Sequence, residues 1–97
     1  MNEETLVKCL AQLGNLTRLK IFRLLVRAGE SGLSVGKIQE ELDIPGSTLS
    51  HHLSKLTNLD LVRQQREGRT LHCIANYSLL DVVVNELKDQ CCVGIKV

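Results

Sequence analysis

Residues 43–58 read DIPGSTLSHHLSKLTN. Leu49, Leu53 and Leu56 recur at spacings of four and three, which marks one face of a helix, while Ser47, Ser50, His51, Ser54, Lys55 and Asn58 occupy the other. Pro45, followed by Gly46, fixes a tight turn ahead of that helix. Before the turn, Ser34 is a cap candidate for a short helix with Val35, Ile38 and Leu42 inward. Helix, tight turn and a second helix whose outer face carries short hydrogen-bonding side chains is the order of parts in a helix-turn-helix, whose second helix enters the major groove of DNA.

The chain on either side supports this frame. Downstream, the runs LVRQQ and TLHCIA flank EGR and read as a two-stranded hairpin, with Gly68 supplying the backbone freedom of the turn. A hairpin directly after such a helix is a wing. Arg63, Arg66 and Arg69 crowd it against the single acids Asp60 and Glu67, and these arginines can reach phosphates. A last helix is expected from Asn76 to Cys92, with Leu80, Val83, Val84, Leu87 and Cys91 in one stripe. Upstream, Leu6, Leu10 and Leu13, with Val7 beside them, predict a short helix over 4–13 closed by Gly14, with Cys9 off the centre of its stripe. From Asn15, a cap candidate, a helix apolar over most of its circumference runs to Gly29. The loop ESGL then leads to Ser34. The fold class expected is mainly α with a small β-hairpin: a winged helix-turn-helix of about five helices, one domain over residues 1–97.

Composition narrows the function. At 97 residues there is no room for a second core, and 43% apolar content with one Phe and one Tyr implies an aliphatic, helix-rich interior. The formal charge of +1 does not by itself announce a nucleic-acid partner, so the distribution of charge has to decide. No nucleophile–base pair, glycine-rich phosphate loop or paired-carboxylate cleft appears, so no enzyme is expected and no cofactor is required. The first residues resemble neither a signal peptide nor a membrane span, so the chain is expected in the cytoplasm, with its four cysteines expected to be kept as thiols. Ser47, Thr48, Ser50, His51 and Lys55 are the base-reading candidates: Ser and Thr bond donors or acceptors, and Lys bonds guanine or phosphate. His52, at the border of the leucine stripe, reads as a packed residue. The bland alternative is a solvated helix face on a winged module that binds protein instead of DNA; the turn before the helix and the arginine wing after it weigh against that.

The strings LGNLTRLKIFRLL (13–25), STLSHHLSKL (47–56), LV (61–62) and REGRTLHCI (66–74) resemble the ArsR/SmtB group of metal- and metalloid-responsive repressors over nearly the whole chain. The resemblance implies a repressor that leaves its double-stranded operator when an inducer binds, and a homodimer built through its first and last helices. Two departures are visible: Leu16 stands where the family often has Pro, and Asp60 where Gly usually follows the recognition helix. The cysteine cluster that some members carry beside the recognition helix is absent from LSVGKIQ, and the last helix has no histidine for the zinc site of others.

Three thiols, Cys73, Cys91 and Cys92, suit a soft, thiophilic ligand. Arsenic(III) or methylarsenite is the inducer expected, since the spacing is similar to that of members tuned to methylated trivalent arsenicals. A straight last helix of about fifteen residues is roughly 22 Å long, so one subunit cannot close the site. If the last helices pair antiparallel about a twofold axis, Cys73 of one chain meets Cys91 and Cys92 of the other. Thiol oxidation through the same cysteines is the rival sensing chemistry. Cys9 reads as a small core hydrophobe.

Overall fold

A computed structural model describes residues 1–96 of the chain. Its elements follow the sequence reading closely at their starts. Helix α1 (Glu3–Leu13) begins where Asn2 accepts the Thr5 amide, α2 (Leu16–Ala28) where Asn15 accepts that of Arg18, and α3 (Val35–Leu42) where Ser34 accepts that of Lys37. Each cap satisfies one amide that the first helical turn would otherwise orphan. Helix α4 (Gly46–Thr57) follows Pro45, which has no side chain to cap with. Its end is a Schellman closure: the Leu61 amide bonds the Leu56 carbonyl, the Asp60 amide bonds that of Thr57, and Asp60 takes the left-handed conformation at φ 61°. Glycine adopts that conformation most cheaply, which accounts physically for the glycine that the family resemblance led one to expect there.

The wing is an antiparallel pair, β2 (Val62–Glu67) and β3 (Thr70–Ala75), joined through Gly68 at φ 63° and Arg69. A third strand was not foreseen. Leu33, expected in the loop ESGL, and the cap residue Ser34 form β1 (Leu33–Ser34), which pairs antiparallel with β3, Leu33 opposite Cys73 and Ser34 opposite His72. Gly32 makes this approach possible: at φ 68° a Cβ would collide with the Cys73 carbonyl and the Ile74 side chain. The sheet order is therefore β1-β3-β2, with the start of α3 fastened to the base of the wing.

The core joins Ile21, Phe22 and Leu25 of α2 to Ile38, Leu49, Leu53 and Leu56, and to Leu61, Val62, Cys73 and Ala75. Two stripes differ from expectation. In α1 the buried residue is Cys9, at 1% exposure, while Val7 and Leu10 face outward. Helix α5 (Tyr77–Lys88) buries only Val83; Val84 and Leu87 are exposed, and the helix stops four residues before Cys92. The sequence stripe continues past that point, but among the described residues no surface of the same chain covers it. Asp89 opposes the negative end of the helix dipole, and Gln90 and Cys92 have positive φ. Tyr77 secures the other end of α5, its hydroxyl lying 3.0 and 3.1 Å from the carbonyls of Leu25 and Val26 at the close of α2.

Candidate nucleic-acid interface

Helix α4 buries Leu49, Leu53 and Leu56 and exposes Ser47, Thr48, Ser50, His51 and Lys55, so all five base-reading candidates are on open surface. They form two rows. Ser47, His51 and Lys55 follow one another at every fourth residue; Ser50, Ser54 and Thr57 form the neighbouring row. The second row is one wall of an open groove of about 680 Å³, whose other walls are Ser34, Val35 and Gly36 at the start of α3 and Gln64, Arg66, Arg69 and Thr70 of the wing.

The groove separates the three wing arginines. Successive residues of a strand face opposite sides, so Gln64 and Arg66 share the groove with Arg69 of the turn. Arg63 lies on the other side of the hairpin, beside Glu30, Gln65 and Ile74, with Gln64 bordering both sides. Sequence reasoning found Arg66 and Arg69 but did not single out Gln64, Thr57 or Ser34 as lining residues. For Gln64 the signal was available, two positions before Arg66 on one strand. For Ser34 it required the unforeseen β1.

His52 is half-buried, with Nδ1 lying 3.2 Å from an Arg18 guanidinium nitrogen. Burial lowers its pKa most, followed by the charges of Arg18, His51 and Lys55. The packed role read from the sequence matches this placement.

The cysteines fall into two kinds. Cys9 and Cys73 are buried; Cys91 and Cys92 are exposed. Cys73 has no exposed surface on the central strand, receives a hydrogen bond from Gln64 Nε2 at 3.6 Å, and burial pushes its thiol pKa up. Cys91 and Cys92 lie beyond α5 with their sulfurs 3.2 Å apart, and this contact raises the Cys91 pKa. Within one chain the structure thus brings Cys91 to Cys92 and leaves Cys73 inside the core. The expected stripe position of Cys91 is corrected accordingly, since that residue is no longer helical. Among the described residues no helix is long and apolar enough to cross a membrane.

Residues 13–65 match a family model described as a helix-turn-helix domain. The chain is similar to the "Putative arsenical resistance operon repressor ArsR" of Halobacterium salinarum, 43% identical over 63 residues, or 65% of this chain and 48% of that protein. It thus spans about half the length of that relative. Among solved structures, HlyU from Vibrio cholerae N16961 superposes with a TM-score of 0.74 at 26% identity, covering 95% of this chain and 99% of its own. The AntR antimony-specific transcriptional repressor superposes with a TM-score of 0.67 at 26% identity, covering 84% of this chain and 72% of its own.

Proposed function

Because this chain belongs to the helix-turn-helix family, as a winged regulator of the ArsR type, we propose that it is a homodimeric repressor that binds operator DNA in the cytoplasm. The observation that carries this reading is the groove, in which a polar row of α4 faces Arg66 and Arg69 of the wing. Helix α4 enters the major groove, with Ser47, Thr48, Ser50, His51 and Lys55 toward base edges and phosphates, and Arg66 and Arg69 of the wing hold the flanking backbone, while Arg63 faces away from it. Val7 and Leu10 of α1 and Val84 and Leu87 of α5 are exposed apolar residues on the first and last helices, which supports dimerisation through those helices. Fluorescence anisotropy on a duplex of the protein's own upstream DNA tests the reading: affinity must fall steeply with salt, because phosphate contacts release counterions. A protein-only module would show no such dependence.

The inducer reading is finer. Trivalent arsenic, or a methylated trivalent arsenical, is the ligand, and the exposed Cys91–Cys92 pair is its first point of attachment. Two adjacent thiols suit a thiophilic centre with one position already taken by carbon. The similarity to a protein named as an arsenical resistance operon repressor and to an antimony-specific repressor supports a metalloid over a hard cation. Cys73 completes the inter-subunit site only if the wing sheet opens, since its sulfur has no exposed surface in the single chain. The 3.2 Å sulfur separation also favours a second reading, oxidation of the pair, with release from DNA by peroxide. Titrating arsenite, methylarsenite, zinc and peroxide into the DNA complex separates the two: an arsenical response lost in Cys91→Ser and Cys92→Ser supports the first, and release by peroxide alone refutes it.

A further inference from the structure

Arg18 stands between two elements with different tasks. It lies in the first turn of α2, where Asn15 accepts its amide at 3.0 Å, and its side chain turns back along two directions. Nε donates to the Gln12 carbonyl, in the last turn of α1, at 2.8 Å; Nη1 meets His52 Nδ1, on the recognition helix, at 3.2 Å. A guanidinium has donors and no acceptor, so His52 Nδ1 must be the accepting nitrogen. The ring is then neutral, with its hydrogen on Nε2. The charged groups acting on it, Arg18 from α2 and His51 and Lys55 from α4, all disfavour a second proton.

We propose that Arg18 is a positioning residue for operator recognition, resting on the repressor reading above: it fixes His52 as the Nε2–H tautomer and ties the edge of the leucine face of α4 to the end of α1. The recognition helix then holds a neutral imidazole, not a cation, at the half-buried edge of its reading face. Through two hydrogen bonds its position also follows the end of a helix whose outer face carries the exposed Val7 and Leu10. Arg18 does this without touching DNA. That separates it from the wing arginines, whose contribution is charge against phosphate.

The test has two arms. In the first, 15N imidazole spectra of the full chain without DNA should show His52 as the Nε2–H tautomer at neutral pH, titrating below the ordinary histidine range. In Arg18→Gln both tautomers should appear and the midpoint should rise, because one of the causes lowering it is gone while burial remains. A wild-type His52 that is charged or Nδ1-protonated at neutral pH overturns the proposal without any variant having to fold. In the second arm, Arg18→Gln should weaken binding to the upstream duplex about tenfold with the salt slope unchanged, as expected for a lost orientation and not a lost phosphate contact. A slope reduced by about one or more would make Arg18 a phosphate ligand and overturn the proposal. Wild-type protein that binds no DNA would instead refute the repressor reading, while the imidazole arm still decides the Arg18–His52 link.

Discussion

If the groove between α4 and the wing holds the DNA backbone, the three wing arginines should be unequal. Arg66 and Arg69 line that groove, while Arg63 faces away from it beside Glu30. Each phosphate neutralised adds about 0.9 to the negative slope of log K against log salt, and a twofold dimer makes every contact twice. Arg66→Ala or Arg69→Ala should therefore flatten the slope by about 1.8. Extrapolated from 1 M to about 0.15 M salt, that slope corresponds to roughly thirtyfold in affinity, or about 2 kcal/mol. Arg63→Ala should leave the slope near the wild-type value. Anisotropy titrations of the upstream duplex across a potassium chloride series measure all three variants under identical conditions. Equal slope losses at positions 63, 66 and 69 would refute the facing deduced from strand alternation, and no loss at 66 and 69 would remove the groove from the interface.

Tyr77→Phe deletes the hydroxyl that bonds the carbonyls ending α2, so thermal unfolding should show a loss of about 1 kcal/mol, a fall of about 4–8 °C in melting temperature; an unchanged melt would mean that those carbonyls need no protein donor. Leu16→Pro should stabilise the chain by about 0.4–1 kcal/mol in a denaturant titration, since Leu16 opens α2, is 68% exposed, and follows an extended Asn15 at φ −103° and ψ 132°; destabilisation would show that the cap geometry does not tolerate the ring. Thiol titration of the native protein should find Cys91 and Cys92 reactive, with Cys9 and Cys73 reacting only on unfolding. Because the contact with Cys92 raises the Cys91 pKa, thiolate at Cys91 forms later than in an ordinary cysteine as pH rises. Its alkylation in Cys92→Ser should accordingly be faster at neutral pH than in wild type, and a slower reaction would contradict the assigned direction.

The legible parts of this protein were those encoded over one or two helical turns. Asn15 and Ser34 as caps, the leucine stripe of α4 and the glycine turn of the wing are local signals, and each sits where the sequence put it. What failed depended on distance. Two residues, Leu33 and Ser34, carry no strand pattern of their own; their partner β3 lies about forty positions away, and Gly32 looks like loop until the Cys73 carbonyl is beside it. The end of α5 failed for a related reason. The stripe Val84, Leu87, Cys91 is helical in period, but a period does not fix where a helix stops: α5 ends at Lys88, and Gln90 and Cys92 take positive φ. The base-reading candidates all lie on open surface because exposure and polarity coincide on α4. The cysteine trio could be chosen by chemistry, and strand alternation with Leu71 and Ala75 marks Cys73 as a core position, where β3 buries it; nothing in the spacing of 73, 91 and 92 says whether the three thiols meet.

Asn76 gives the left-handed junction at Asp60 a mechanical meaning. Its amide bonds the Leu61 carbonyl, its side-chain nitrogen bonds that of Asp60 at 2.8 Å, and its side-chain oxygen caps α5 at Leu79. Asp60 and Leu61 meanwhile close the end of α4. The last turn of the recognition helix, the root of the wing and the first turn of α5 are thus bolted to one short crank, with no slack residue between them. A rotation of α5 about this point has to swing the helix and the hairpin together, so the span between them is conserved while, in the proposed dimer, their joint angle to the partner would change.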